Sequence, residues 1–180
     1  EIIAALFSLL FIIILLVELR ILIRYKSVKE DKNSLLIVLL GIFIPLIFTI
    51  ALSYTNIGRI NTLVSYLGII LLVSGFILRQ YSIKTLGKFF TPVVTIQKNQ
   101  KLIQHGPYKY LRHPSYTGLL LELLGFALAL SNFIAFIITL ALSLPPFLYR
   151  IKTEEEFLEK NFKDYKAYKQ KTKKLIPFTY

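Results

Sequence analysis

The chain has 180 residues, 55% of them hydrophobic, with a mean hydropathy of +0.62 and a formal net charge of +12. Average soluble chains are only about 45–50% apolar, so the surplus must face lipid, and several runs approach the ~20 apolar residues that cross a hydrocarbon layer. The absence of cysteine excludes disulfides, thiolate nucleophiles and cysteine-based metal or iron–sulfur sites; two histidines, His105 and His113, are too few for a histidine-rich metal centre, and no metal is expected.

Residues 2–23 form a first apolar run, broken only by Glu18 and Arg20 near one end, from where long side chains reach the headgroups. It is too long for a secretory signal and no small-residue cleavage site follows. Since the chain contains no methionine, even at position 1, a short segment is expected to precede Glu1. A second span covers 35–54, with a kink expected at Pro45, and a third covers 62–78. Arg79, at the end of the third, reads as a snorkelling anchor. From Tyr116 to Tyr149 the chain is too long for one crossing, and Ser131-Asn132 marks a turn. This stretch predicts a helical hairpin, spans four and five, with Pro145-Pro146 bending or loosening the returning helix. The expected fold is therefore all-α: a polytopic membrane protein of five transmembrane helices, with no repeat or linker to divide it.

The basic residues orient these spans, because cytoplasmic loops are enriched in Lys and Arg. Five lie at 20–32, one at 59, seven at 79–112, none near 131 and nine at 150–174, which puts twenty-one of twenty-two on one side. The amino terminus is thus expected outside, the carboxyl terminus in the cytoplasm, and 79–115 together with 150–180 on the cytoplasmic face. Topology and attraction to anionic headgroups account for the charge, so no nucleic-acid partner is expected.

Two polar segments meet on that face. The first runs from Gln100 to Gly118 and contains Gly106-Pro107, a turn signal, and then Arg112-His113-Pro114-Ser115-Tyr116. Pro114 suits the first turn of span four, so Arg112 and His113 precede a helix start whose free N–H groups attract a carboxylate or phosphate. The structural alternative is a basic interfacial collar with Tyr108, Tyr110 and Tyr116 in the aromatic belt. The second segment begins at Arg150 and includes Thr153, Glu154, Glu155 and Glu156. Thr153 and Glu156 have capping-box spacing, while Arg150 and Glu154 at i and i+4 would share one face if a single helix ran through. Glu122, inside an apolar run, is costly near the membrane centre and should face the protein interior, as a packed carboxyl or beside a substrate channel.

Gly-Pro-Tyr, three residues, then Arg-His-Pro-Ser-Tyr-Thr-Gly, followed at a distance by Arg150, three residues and Glu154-Glu155, resembles the isoprenylcysteine carboxyl methyltransferase family. The likeness covers about residues 80–180 and extends to phospholipid N-methyltransferases. It implies a membrane methyltransferase domain spanning 1–180, with three helices in 1–78 and the catalytic region with the hairpin in 79–180. The implied cofactor is S-adenosyl-L-methionine, in contact with Gln100, Leu102, Ile103, Gly106, Tyr108, His113, Pro114, Tyr116 and Glu155 or its neighbour Glu154. Arg112 and Arg150 would orient an acceptor carboxylate, with Glu154 or Glu155 fixing the arginines or the cofactor; for an amine acceptor, Glu154 becomes a proton acceptor. The acceptor would be a lipid or lipidated small molecule entering sideways from the bilayer. Transfer from a sulfonium is an in-line displacement that depends on alignment and needs no covalent intermediate. Other readings are a phospholipid amine or small thiol methyltransferase, an NADPH-dependent membrane reductase of the steroid reductase type, similar around Arg-His-Pro-x-Tyr-x-Gly, and a non-catalytic lipid-binding membrane protein.

Overall fold

A computed structural model describes residues 2–24 and 32–177, with side chains described for 10–21 and 35–177. Among the described residues six α-helices follow one another: α1 Ile2–Arg24, α2 Lys32–Ser53, α3 Leu63–Leu86, α4 Pro114–Ala129, α5 Phe133–Asn161 and α6 Tyr165–Lys171. Short 3₁₀ turns lie at Gly87–Phe89 and Gly106–Lys109, and the described residues contain isolated bridges but no strand.

Among the described residues, three stretches, Leu35–Ser53, Leu63–Phe89 and Phe133–Asn161, are long and apolar enough to cross a membrane. Their outward faces are hydrophobic: Ile47 and Phe48 of α2, Ile70 and Ile77 of α3 and Ile137 of α5 are exposed, while Thr49, Ser82, Thr139 and Ser143 are buried. Polar side chains in and apolar ones out is the pattern of a bundle whose solvent is lipid. Within it, Thr49 Oγ1 and Thr139 Oγ1 are 3.2 Å apart, and Ser143 Oγ donates to the Gly41 carbonyl at 2.7 Å, joining α2 to α5.

The predicted hairpin is present as α4 and α5, and its turn falls at the predicted residues. Ser131 takes a positive φ of 54°, and Asn132 caps α5 by accepting from the Ala135 amide at 2.8 Å. The Asn132 amide also donates to the carbonyls of Leu52 and Ile57, clasping the α2–α3 loop to the turn. α4 has 16 residues; at 1.5 Å rise it is only about 24 Å long, short of the ~30 Å hydrocarbon layer.

α4 is the inner helix, and glycine is the reason it can be. A Cβ on Gly75 of α3 would stand 2.6 Å from the Gly118 carbonyl oxygen, and one on Gly118 would stand 2.6 Å from that of Gly75. Gly68 and Gly125, one heptad away on each helix, are closed off in the same way by Ala129 and Leu72. The two backbones therefore touch along a seam of small residues, as membrane helices do when packing supplies the attraction.

Three expectations need correction. Thr153 and Glu156 are not a capping box: α5 continues from Phe133 to Asn161, through Pro145 and Pro146, and the Thr153 hydroxyl donates to the Tyr149 carbonyl one turn back, so no helix starts there. Arg79 does not snorkel. It is 9% exposed and donates from Nε and Nη2 to Glu18 at 2.7 and 2.6 Å and from Nη1 to Ser115, pinning α1 and the start of α4 to α3. The third helix also runs eight residues past the expected boundary of 78, because polar Gln80, Ser82 and Lys84 carry it on toward the loop.

Candidate active site

The chain alternates, so the end of α3, the 87–113 segment, the start of α4, the end of α5 and α6 gather at one end of the bundle. The tail then straps the start of α4. The Arg112 amide donates to the Lys173 carbonyl at 2.8 Å, the Lys173 amide to Tyr110 at 3.0 Å, and the Thr117 hydroxyl to the Leu175 carbonyl at 2.7 Å. Tyr168 of α6 reaches back under the loop and donates its hydroxyl to the carbonyls of Tyr108 and Leu111. Burial raises the hydroxyl pKa of Tyr108, Tyr165 and Tyr168 above the ordinary tyrosine value.

A cleft of about 150 Å³ opens between these parts. Gln100, Leu102, Ile103, Tyr108, Arg112, His113, Tyr116, Arg150 and Glu154 line it, joined by Leu39 and Ile42 of α2 and by Phe157, Phe162 and Tyr165. The polar groups form connected chains. Tyr116 Oη donates to Glu154 at 3.2 Å and accepts from Arg150 Nε at 3.2 Å, while Arg150 Nη2 donates to the Pro92 carbonyl at 2.8 Å. Arg150 is 2% exposed; continuity of α5 places it one turn before Glu154, the i and i+4 arrangement.

Glu155 faces the other way. Its Oε1 accepts from Arg112 Nε at 2.7 Å and lies 3.2 Å from His113 Nε2, and its Oε2 lies 3.4 Å from Lys169 Nζ. It ties α5 and α6 to the start of α4 and does not border the cleft. Arg112 is further committed through Nη1 to the carbonyls of Lys169, at 3.0 Å, and Thr172. Two more residues singled out from sequence stand behind the cleft wall. Gly106 turns the loop at a φ of +60° beside Thr85, and Pro114, at N1 of α4, is fully buried.

The structure also brings in residues the sequence did not single out. Phe90 to Thr95 form a wall opposite α5, with Val93 3% exposed, yet this stretch has no periodicity and no titratable group to mark it. Phe157 and Leu158 are both about two turns beyond Arg150 on α5 and were visible as helical spacing, once the helix is known to be continuous.

Comparison with known proteins gives the arrangement a context. The profile described as Isoprenylcysteine carboxyl methyltransferase (ICMT) family matches residues 68–160. A protein of Oryza sativa subsp. indica named probable protein-S-isoprenylcysteine O-methyltransferase is 35% identical over 118 residues, 64% of this chain and 62% of that one. Protein-S-isoprenylcysteine O-methyltransferase B of Arabidopsis thaliana is 34% identical over 118 residues, 64% of this chain and 60% of the relative. Among solved structures, the eukaryotic intramembrane Ras methyltransferase ICMT matches with a TM-score of 0.58 and 27% identity, covering 83% of this chain and 55% of that one. The chain thus spans about three fifths of the length of these two plant relatives and about half that of the yeast, Dictyostelium and Xenopus ones.

Proposed function

Because the chain belongs to the isoprenylcysteine carboxyl methyltransferase family, we propose that it is an integral membrane methyltransferase that carries a methyl group from S-adenosylmethionine to the carboxylate of an isoprenylated cysteine. The observation that carries this reading is the cleft itself, where His113 and Tyr116 of the α4 start meet Arg150 and Glu154 of α5 beside apolar walls. Its donors suit the cofactor: a cationic and hydrogen-bonding edge for a carboxylate, Glu154 for an ammonium or ribose, and Tyr108, Phe157 and Phe162 for an adenine face.

In this reading Gln100, Leu102, Ile103, Tyr108, His113 and Tyr116 hold the cofactor, which when bound supplies an electrophilic methyl group on a sulfonium. A carboxylate acceptor is already ionised at neutral pH, so this chain needs no general base. Arg150 orients the acceptor carboxylate, held in place by Tyr116 and the Pro92 carbonyl. Arg112 adds positive charge at the same wall while its Nε and Nη1 bind the chain itself. Glu154 positions the Tyr116–Arg150 pair, and Glu155 acts as a positioning residue for Arg112 and His113. The apolar wall of α2 admits the acceptor's hydrocarbon part and keeps water from the reacting groups. Five spans, with the short α4 met by local thinning of the bilayer, the amino terminus outside and the cleft on the cytoplasmic face complete the proposal, supported by the placement of the basic residues.

Equilibrium binding of S-adenosylhomocysteine to the purified chain tests the pocket. We expect micromolar affinity in the wild type, weakened about tenfold or more, ~1.4 kcal/mol, by His113→Ala and by Leu102→Trp. Folded wild-type protein that does not bind overturns the reading.

A further inference from the structure

A second cavity, of about 80 Å³, lies inside the bundle between α1, α2, α3 and α4. Its walls are Leu, Ile and Phe apart from Glu18, Arg79 and Glu122. Glu18 and Arg79 answer each other, and the third Arg79 nitrogen, Nη1, donates to the Ser115 hydroxyl and carbonyl. Glu122 is different: it is 5% exposed, and its buried Oε1 has no hydrogen-bond partner. A buried polar atom without a partner costs about 1–3 kcal/mol, and the cost is avoided if a ligand supplies the partner.

The surroundings restrict what that ligand is. Phe43 lines the cavity and is 41% exposed on the outer face of α2, so the cavity reaches the surface that lipid covers. A cationic group would meet Arg79 on the same wall, and an anion would meet Glu122 and Glu18. A water needs two to four polar partners, and with Glu18 and Arg79 engaged with each other the rest of the wall around Glu122 is Leu, Ile and Phe. A hydroxyl group both donates and accepts, so it pairs with a carboxyl in either protonation state, whereas an ether or ketone pairs only with the acid.

We propose that this cavity binds a neutral, hydroxyl-bearing lipid from the bilayer, and that Glu122 recognises its hydroxyl group. The site is distinct from the cleft, although Leu39, Ile42, Arg79 and Leu119 line both. It stands whether or not the chain transfers methyl groups.

The test uses the full chain in phosphatidylcholine nanodiscs with radiolabelled 1-dodecanol as probe, displaced by unlabelled dodecanol or by dodecane. In the wild type the alcohol should displace the label at about a tenfold lower mole fraction than the hydrocarbon, and Glu122→Leu should remove that preference. Equal displacement by the two competitors in the wild type overturns the proposal, as does a preference that survives in Glu122→Leu. A second readout needs no disruptive variant: the infrared carboxyl band assigned by its loss in Glu122→Gln should shift on adding dodecanol and stay fixed with dodecane. A band that ignores both, or follows both alike, also overturns it. Binding of S-adenosylhomocysteine on the same preparations reports on the cleft separately, so failure of one site is distinguishable from failure of the other.

Discussion

Glu155 Oε1 lies 2.7 Å from Arg112 Nε, between side chains that are only 7% and 9% exposed. This contact joins the last third of α5 to the residue pair that opens α4, across 43 positions of sequence. Lys169 of α6 closes on the same carboxyl group, so one side chain sets the distance between the elements that frame the cleft.

Removing that charge should loosen the frame. We expect Glu155→Gln to destabilise the chain by about 3 kcal/mol, since breaking one partner of a buried pair leaves the other unpaired. The tail that straps Arg112 and His113 should open first. Limited trypsin digestion should cut at Lys171, Lys173 and Lys174 faster than in the wild type, with Glu155→Asp intermediate; unchanged cleavage would mean the strap holds without the carboxylate.

The α3–α4 seam makes a steric prediction. Gly118→Val places atoms against the Gly75 carbonyl and the Arg79 backbone, where neither can retreat without parting the helices. Overpacking costs about 1–3 kcal/mol when side chains give way and more when backbone must, so we expect a loss of about 3 kcal/mol or more. Gly87→Ala, with nothing within 4 Å of its Cβ but a φ of +55° and ψ of −123°, should cost about 1–3 kcal/mol from backbone strain alone. Thermal melting in detergent ranks the two.

Arg79 and Glu18 should behave as a unit. Arg79→Met leaves the Glu18 carboxylate without its partner beside the apolar layer, and Glu18→Gln does the reverse, each costing about 2–4 kcal/mol; the double variant should recover part of the loss. A double-mutant cycle should give a coupling above about 1 kcal/mol. Additive losses would return Arg79 to the role of an independent anchor.

The buried tyrosines set a pH limit. Burial raises the hydroxyl pKa of Tyr108, Tyr165 and Tyr168 in the folded chain, while the unfolded value is about 10. Their contribution is therefore fully present below about pH 10 and is lost as pH climbs from there toward the folded values, because the unfolded chain releases these protons first. Melting temperature followed from pH 8 to 11 should be flat and then fall, and Tyr168→Phe should make the fall shallower. A Tyr168→Phe curve parallel to the wild type above about pH 10 would contradict this origin.

Much of the bundle could be read from the sequence because lipid imposes simple rules. The length of the 116–149 apolar stretch required a turn, and Ser131-Asn132 was the polar break available to make it. Pro114 marked the start of α4, and alternation of spans brought Arg112, His113 and Arg150 to one end. What stayed hidden depends on contacts between distant positions. Nothing local shows that Arg79 meets Glu18 61 residues away, or that Glu154 turns into the cleft while Glu155 turns behind it. The Thr153–Glu156 spacing imitates a helix start because the same two residue types are also tolerated within a helix, and only the unbroken backbone of α5 decides between them. The Phe90–Thr95 wall is irregular chain, which carries no period to detect.

Methyl transfer itself is the most direct measurement. Reconstituted wild-type chain should be incubated with S-adenosylmethionine tritiated in the methyl group and with S-farnesylcysteine carrying a blocked amine and a free carboxylate. Treating the product with base should release volatile tritiated methanol, as only a carboxyl ester does, and Arg150→Gln should abolish the signal while S-adenosylhomocysteine binding persists. Base-stable label, or no transfer from folded protein that binds S-adenosylhomocysteine, would contradict carboxyl methylation by this chain.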